Sequence, residues 1–446
     1  MKHNIWFMAG FITLGLGIIL DCATSGLESW ERELISSQDE ADLLSNCDTI
    51  SGRFLVATKS EESRNVTISL PNLVRVNGTL SIGNVTSFSA PKLREVTGSL
   101  SPSGRDSLPL LETVGQTLFI TMTGVPSISF PSLVRIGSFF FDEVYGLKSI
   151  KWGPVGFPVI TERSGNIRIH ETDIENIDWI FNKDRDFGTI SIHGQNITKI
   201  TVTANTIDEL YIAGYGVDVG YEIIFDMPPV IGVLHSMINT LSLSGVRSIK
   251  YIEPPSSVGV LSVERSSMVR LDIPFRVSDS LSIRENQQLA NLFYGVYWRN
   301  YGDASGRNDA RSIYIVDNPA LVMNFNTTDS VANESTGAWR WPQSNMDTLV
   351  MKDSKWSTGF FNGLLEGYSQ IERFEVDSYD QNFSCRALGD EYATPKGGKS
   401  IFTRSYSCEH NGTHFYPDMD SGCTGYRWSP WLGASLVALV GFGVAL

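Results

Sequence analysis

The sequence predicts an all-β fold, a right-handed β-solenoid with coils of about 20 residues. The first observation is a repeated unit, Pro-x-Leu-x-x-Val/Ile followed by glycine, whose prolines at 71, 91, 109 and 131 are 20, 18 and 22 residues apart. The second is the alternation of apolar and polar residues in stretches such as "GTLSI", which is typical of a half-buried strand. The third is a later set of leucines, Leu241, Leu261 and Leu281, again 20 residues apart.

The first clear coil shows how the pattern would build a core. Leu80 and Ile82 are predicted to point inward, and Thr79 and Ser81 to point outward. A single coil cannot bury its inward side chains, but stacked coils can. The middle of the chain is therefore expected to be stabilised by packing between coils.

The connections between strands carry the glycines and prolines of the repeat. Gly78 and Gly98 precede their strands, where we expect turn dihedrals that other residues avoid. The prolines stand where no backbone donor is needed for a sheet. Leu73 and Val76 follow the first proline and are predicted to form a second inward-facing pair.

The register continues into later coils. Rungs are predicted from Gly165, Gly188 and Ile207. In "LSIRENQQL" and "IYIVDNPAL", Asn286 and Asn318 fall at the bend after the strand, where an asparagine amide can bond turn backbone. Both asparagines are therefore predicted to be structural.

The solenoid is predicted to have two halves and a short capping helix. The first half covers residues 37–225 and the second 226–415, because residues 213–235 are rich in glycine, proline and aromatics. "EADLLSNCDTISG" predicts a short helix, with Ser37 or Asp39 as its cap. This helix would cover the open end of the first coil.

The N-terminus predicts a secretory signal peptide over residues 1–23, with cleavage between 17 and 25. Lys2 is followed by an apolar run from Ile5 to Leu20, and Asp21 ends the run. The alternative is a transmembrane anchor, for which this run is short. The interpretation places the mature protein outside the cell.

The C-terminal region, residues 416–446, predicts a glycosylphosphatidylinositol (GPI) anchor signal. Its apolar tail, residues 431–446, carries no charge and is not followed by Lys or Arg. Small residues precede it, and Ser421 and Gly422 are the attachment candidates. The alternative is a tail helix packed in a core. The anchor would hold the protein on the outer leaflet of the plasma membrane.

The five cysteines lie near the two ends of the chain. With cleavage after residue 17 and the anchor at Ser421 or Gly422, Cys22, Cys47, Cys385 and Cys408 remain, and their clustering favours Cys22–Cys47 and Cys385–Cys408. With cleavage after residue 25 and a later anchor, Cys423 replaces Cys22. Either set leaves an even number.

Glycosylation sequons and net charge agree with an extracellular surface protein. The eight Asn-x-Ser/Thr sequons are at Asn65, Asn77, Asn84, Asn196, Asn326, Asn333, Asn382 and Asn411. The formal net charge is −14. A nucleic-acid partner is not expected, because phosphates require a basic face.

The segment "SQDEADLLSNCDTISG", followed by "LPNLVRVNGTLSI" and "APKLREVTGSLS", resembles the fungal GPI-anchored cell-wall-organisation proteins. Their ectodomains are similar to the leucine-rich-repeat-like receptor L domains of insulin- and epidermal-growth-factor-type receptors. The resemblance implies a non-catalytic role in wall integrity, with wall polysaccharide or wall and membrane glycoproteins as partners. One departure is the short, Ser-poor stretch before the anchor, "EHNGTHFYPDMDSGCTG", which favours retention at the membrane over transfer to wall glucan.

No catalytic, cofactor or metal site is predicted. A carbohydrate-active β-solenoid needs two carboxylates flanking one glycosidic bond, and the best acids, Asp184, Asp186, Glu285 and Asp317, fall in different segments with no pair at rung spacing. His410 and His414 flank a glycine, which disfavours a helical metal site. An enzyme remains the alternative function, and a receptor-like surface sensor is a further one.

A ligand contact is predicted in the aromatic insertion at residues 291–308. Tyr297, Trp298 and Tyr301 are crowded there, and aromatics on a loop can stack on sugar rings or anchor a partner. Trp339 and Trp341 are a weaker candidate of the same kind. The other interpretation, that these rings cover the core between rungs, stays open.

Overall fold

The computed structural model describes part of the chain: residues 21–23, 33–57, 66–121, 125–161, 165–182, 185–194, 196–214, 221–227, 236–294, 310–323, 338–342, 345–366, 370–392 and 401–415. Within them the chain forms a β-solenoid of stacked, mostly parallel strands, which confirms the predicted fold class.

The strands, in chain order, are β1 Asp21–Ala23, β2 Glu33–Ile35, β3 Thr49–Ala57, β4 Thr67–Ser69, β5 Arg75–Gly83, β6 Ser87–Ser89, β7 Glu95–Val96, β8 Leu100–Ser101, β9 Thr113–Thr121, β10 Ser127–Phe130, β11 Arg135–Asp142, β12 Ser149–Trp152, β13 Val159–Ile160, β14 Ile167–His170, β15 Asp186–His193, β16 Lys199–Val202, β17 Thr206–Ala213, β18 Tyr221–Asp226, β19 Met237–Ser244, β20 Val246–Glu253, β21 Ser257–Glu264, β22 Arg270–Ile273, β23 Arg276–Arg284, β24 Asn291–Tyr294, β25 Ser312–Val316, β26 Val322–Met323, β27 Ala338–Trp339, β28 Met346–Trp356, β29 Ile371–Ser378, β30 Phe402–His410 and β31 Thr413–Phe415. The helices are α1 Gln38–Asp42, α2 Asn362–Glu366 and α3 Cys385–Tyr392, with 3-10 turns at Asp178–Ile180 and Thr358–Phe361.

One large sheet, here called the main sheet, runs the length of the stack. Its successive parallel rungs are β1 with β2, then β3, β5, β7 with β8, β9, β11, β13 with β14, β15, β17, β19, β21, β23, β25, β28, β29 and β30. Leu241 pairs with Leu261, and Leu261 with Leu281, as the 20-residue repeat predicts. The pairing of β17 with β19 carries the sheet across residues 213–235, so the two predicted halves share one sheet.

Shorter parallel sheets form the other sides of the coils. They are β4–β6, β10–β12, β16–β18–β20 and β22–β24–β27. The core lies between them and the main sheet: Leu80 and Leu73, predicted to face inward from different sides of one coil, are 0% and 1% exposed. The alternation in the repeat therefore identified the buried face correctly.

A column of glycines runs through the first rungs of the main sheet, with Gly52 in β3 and Gly78 in β5. Gly52 pairs with Gly78, whose φ of 149° lies in the region that favours glycine. A Cβ on Gly98 would lie 2.6 Å from the carbonyl oxygen of Gly78. The prediction that Gly98 is needed for its dihedral is therefore wrong, because close approach of the neighbouring coil is what excludes a side chain there.

Later coils carry a column of buried polar side chains instead. Asn286 and Asn318 are both 0% exposed. The Asn286 amide donates to the Val263 carbonyl at 3.1 Å and to the Asn318 Oδ1 at 3.0 Å, and its own Oδ1 accepts from the Ser266 N–H at 2.9 Å. The prediction that both asparagines are structural is confirmed. Ser354, which donates to the Asn318 carbonyl at 3.1 Å, continues the column.

The N-terminal end is covered by α1. Ser37 is its N-cap and accepts from the Glu40 N–H at 3.2 Å, as predicted. The Gln38 amide bonds the Ser69 backbone in both directions, at 2.8 and 3.2 Å, and so satisfies edge groups of β4. The main sheet begins earlier than the repeat suggested, because β3 and the short β1 and β2 precede β5.

The C-terminal end is closed by α3, a disulfide and a hairpin. Cys385 and Cys408 are bonded, with Cα atoms 5.6 Å apart, which confirms that predicted pair. β31 pairs antiparallel with β30 and covers the edge of the last rung. Cys47 is also disulfide-bonded and buried. Its predicted pairing with Cys22 stays a prediction.

Candidate functional site

From β3 to β30, the main sheet carries one row of side chains on its outer face, and all of them except the buried Val350 are at least partly exposed to solvent. This outer row is defined by strand register and consists of Leu55, Ser81, Ser101, Phe119, Phe140, Arg168, Ser191, Tyr211, Ser242, Ser262, Ser282, Tyr314, Val350, Glu375 and Ser407. Each member directly follows an inward-facing residue, because side chains of a strand alternate between faces. Hydroxyl and aromatic side chains dominate the row.

The row is uneven, and its small members form two troughs between large ones. In the first trough, Ser81 and Ser101 lie between Leu55 and Phe119. The depression has a volume of about 430 Å³. Phe119 is 36% exposed and stacks on Phe140, with ring centroids 5.2 Å apart. The first trough thus has a hydroxyl floor and apolar sides.

The second trough follows the same plan over one more rung. Ser242, Ser262 and Ser282 lie between Tyr211 and Tyr314 in the outer row. The Ser262 hydroxyl is already bonded to the Glu264 carboxylate at 3.0 Å. The flanks carry more charge than those of the first trough, since Arg284 lies 5.0 Å from the Tyr314 ring.

A second candidate surface lies at the bend after the main-sheet strands. Arg265, Glu285, Asp317 and Asp353 have φ values of 48°, 55°, 57° and 55° on successive coils. We call this set the turn ridge. It lines a groove of about 660 Å³. Arg265 pairs with Glu285 at 2.8 Å. Arg284 pairs with Val316, so the residues that follow them, Glu285 and Asp317, are neighbours on adjacent coils. The expectation that these two acids are scattered over separate segments, with no pair, is wrong for that reason.

The carboxylates of the turn ridge interact. Partial burial raises the pKa of Asp317, and its hydrogen bond with Asp353 and the charges of Asp353 and Glu285 raise it further. The Tyr379 hydroxyl donates to Asp353 at 3.2 Å. Of the other predicted acids, Asp186 accepts from Thr206 at 2.7 Å, and Asp184 lies outside the described residues.

The predicted aromatic contacts have two different outcomes. Trp339 and Trp341 are each 5% exposed, and the Trp341 indole donates to the Phe360 carbonyl at 3.0 Å. They are part of the core, so the suggestion that they contact a ligand is wrong. Tyr297, Trp298 and Tyr301 lie outside the described residues and stay predictions.

The sequons that the structure describes are on the surface. Asn84, Asn196, Asn382 and Asn411 are exposed, and Asn77 is half-buried on the main sheet beside the first trough. Asn65, Asn326, Asn333 and the anchor candidates Ser421 and Gly422 lie outside the described residues. Glycosylation and anchoring stay predictions.

The two C-terminal histidines lie on either side of a hairpin turn. Asn411 and Gly412, with φ of 48° and 76°, form the turn between β30 and β31. His414 lies 3.3 Å from Glu409. In the described ranges, no group of three or more His, Cys, Asp or Glu side chains is placed to hold a metal ion.

The outer row was missed by the sequence analysis, although a signal for it exists. Aligning the coils on their inward residues, Phe54, Leu80, Leu100 and Leu118, would have placed the next residue of each coil in one row. The turn ridge has no such signal, because its coils differ in length.

No family model, curated protein or solved structure matches this chain. Among the described residues, none of the helices combines the length and apolar character needed to cross a membrane.

Proposed function

We propose that this protein is a non-catalytic, GPI-anchored cell-surface glycoprotein that organises the cell wall by binding wall glycan or wall glycoprotein. The single observation that supports it most is the outer row, in which hydroxyl and aromatic side chains predominate, on a stack held together by one sheet. Such a surface offers hydrogen bonds and ring contacts along an extended partner. The proposed location at the cell surface rests on the predicted signal peptide and the predicted GPI-anchor signal.

The proposed location has a direct test. Phosphatidylinositol-specific phospholipase C is expected to release the protein from intact cells of the source organism. Truncation after Asp420 is expected to send it into the medium, because it removes the residues predicted to carry the anchor. Retention of the truncated chain on membranes would refute the anchor.

The proposed role is tested by deletion and complementation. A deletion strain is expected to grow poorly on dyes that stress the wall, and the full-length chain is expected to restore growth. Normal growth and normal wall composition in the deletion strain would contradict the role.

A carbohydrate-active enzyme is the second candidate, and the turn ridge is the observation in its favour. Glycosidases raise the pKa of a carboxyl that acts as general acid, and the pKa of Asp317 is raised. The hydrogen bond between Asp317 and Asp353 argues against this pair, because glycosidase carboxyls lie about 5 Å or more apart.

The two candidates predict opposite results for one variant. Replacing Glu285, Asp317 and Asp353 together by Gln, Asn and Asn keeps the shape of the turn ridge and removes its acids. A binding protein carrying these changes is expected to restore growth in the deletion strain. An enzyme is expected to fail, even though circular dichroism shows the same fold.

A further inference from the structure

The first trough lies across the main sheet at the first rungs. In the outer row, Leu55 and Phe119 are separated by three strand spacings, so their backbones are roughly 14 Å apart. Ser81 and Ser101 between them are too small to fill this space. The trough therefore runs parallel to the strands, with one apolar side chain on each side.

The floor is made of hydroxyl groups. Thr79 and Ser99 lie in the next row, beside Ser81 and Ser101, and all four line the trough. In the part of the chain that the structure describes, the hydroxyls of Thr79, Ser81 and Ser101 make no hydrogen bond to protein. Ser99 has only a long contact, 3.5 Å, with Gln116. Apart from Ser99, the floor thus offers donors and acceptors that have no partner among the described residues and are available to a ligand.

Charge limits the class of ligand. Of the lining residues, Arg53 alone is charged, and it lies at the edge of the trough on an exposed position. A strongly anionic or cationic ligand would therefore find at most one counter-charge there. The lining fits a neutral molecule.

A neutral ligand that fits needs hydroxyls along its edge and C–H groups on its two faces. A pyranose ring has this arrangement: its edge can bond the serine and threonine hydroxyls while its faces contact Leu55 and Phe119. Peptide segments lack the dense edge hydroxyls that would match the four-hydroxyl floor. The Phe119 ring stacks on Phe140 of the next rung, which supports it on the side away from the serines.

We propose that the first trough is a binding subsite for a neutral pyranose polysaccharide supplied from outside the protein. This inference deepens the proposed function, since it names the ligand class and the residues that contact it. Leu55 and Phe119 provide the ring contacts, and Thr79, Ser81, Ser99 and Ser101 provide the hydrogen bonds.

The test measures binding to the purified, secreted, full-length ectodomain. The probes are hexasaccharides of β-1,3-linked glucose, β-1,4-linked glucose, β-1,4-linked N-acetylglucosamine and α-1,6-linked mannose, with hexagalacturonate as the charged control. Titration calorimetry is expected to detect at least one neutral probe and not the charged one. Failure of every neutral probe, or binding of hexagalacturonate alone, would overturn the proposal.

Two variants locate the binding. Ser81→Leu fills the floor and is expected to abolish binding, while Phe119→Ala removes one side and is expected to weaken binding about tenfold. The matched control is Ser129→Leu, an exposed serine of β10 on another side of the coils, which is expected to bind like the wild type. Equal loss in Ser81→Leu and Ser129→Leu would overturn the location. If Ser81→Leu does not fold, Phe119→Ala alone decides.

One further variant identifies the source of the sugar. Asn77 belongs to a sequon that includes Thr79, so a glycan on Asn77 would project beside the trough. Asn77→Gln removes this glycan and leaves the floor intact, and it is expected to bind as the wild type does. Binding that appears only in Asn77→Gln would mean that the protein's own glycan occupies the trough, which would refute an external source.

These results separate the subsite from the proposed function. If no neutral probe binds but the deletion strain is sensitive to wall stress, the subsite is refuted and the role in the wall stands. If a neutral probe binds and Phe119→Ala still restores growth, the subsite stands and its contribution to the wall role is refuted.

Discussion

Early and late coils of this solenoid hold their register in different ways. The early coils bring backbones together at Gly52, Gly78 and Gly98, and a Cβ on Gly78 or Gly98 would collide with the backbone of the preceding coil. The late coils place Asn286 and Asn318 inside the bend, where their amides bond three successive turns. The close contact in the early coils requires that there be no side chain, whereas the hydrogen bonds in the late coils require an asparagine amide. Different substitutions are therefore expected to disrupt the two regions.

The largest expected effect comes from filling the glycine column. Gly98→Ala places a Cβ 2.6 Å from the Gly78 oxygen, and all of its near neighbours are backbone atoms, which move only at a cost. We expect a loss of about 3 kcal/mol in the free energy of unfolding, measured by urea denaturation. Gly83→Ala is the control, since a Cβ there meets nothing within 4 Å, and we expect about 0.5 kcal/mol or less. Similar losses in both variants would contradict the role of close approach.

The next effect comes from removing one amide of the late column. Asn286→Ala leaves the Ser266 N–H, the Val263 carbonyl and the Asn318 Oδ1 without this partner in a buried site. We expect a loss of about 2–3 kcal/mol, also measured by urea denaturation. The exposed neighbour Gln287 provides the control, because Gln287→Ala removes no buried bond. If Asn286→Ala loses no more unfolding free energy than Gln287→Ala, the column of buried polar side chains does not hold the coils in register.

A smaller effect is expected at the turn ridge. Asp317 has a φ of 57°, which glycine adopts freely and other residues adopt at a cost. Asp317→Gly is therefore expected to be about 1 kcal/mol more stable than Asp317→Ala, since both lack the carboxylate and only one keeps the strain. Equal stability of the two variants in thermal unfolding would show that the bend carries no strain.

The smallest effect is a change in pH dependence. The pKa of Asp317 is raised in the folded protein, so its protonated form favours folding, and this stability is lost as the pH rises through the folded pKa. Asp353→Asn removes the neighbouring charge, so the pKa of Asp317 should fall. We expect less loss of stability on going from acid to neutral pH in the variant, measured by thermal unfolding across pH. An unchanged profile would contradict the coupling of the two acids.

The sequence predicted the core and the register because these follow a fixed period. Leu241, Leu261 and Leu281 are 20 residues apart and pair directly. The role of Gly98 was misassigned because the atom that excludes its side chain belongs to another coil. Local dihedral preference carries no information about that contact.

The turn ridge could not be predicted because its coils are of unequal length. The column residues Asn286 and Asn318 are 32 positions apart, and Asn318 and Ser354 are 36 apart. The neighbouring acids Glu285, Asp317 and Asp353 therefore follow no constant spacing, although the structure aligns them. Inserted residues between the strands do not disturb the pairing of the coils. They do change the spacing in the sequence, so a search for a constant repeat length does not detect these acids.

The two troughs show that a coil also serves as a unit of length. The first spans two serines and the second three, and each added rung widens the recess by one strand spacing, about 4.8 Å. The serines that set each step face outward and take no part in the core, so most substitutions there are expected to change stability by about 0.5 kcal/mol or less. A stack of this kind can change the size and chemistry of its recess by one substitution at a time, while the core and the strand pairing stay the same.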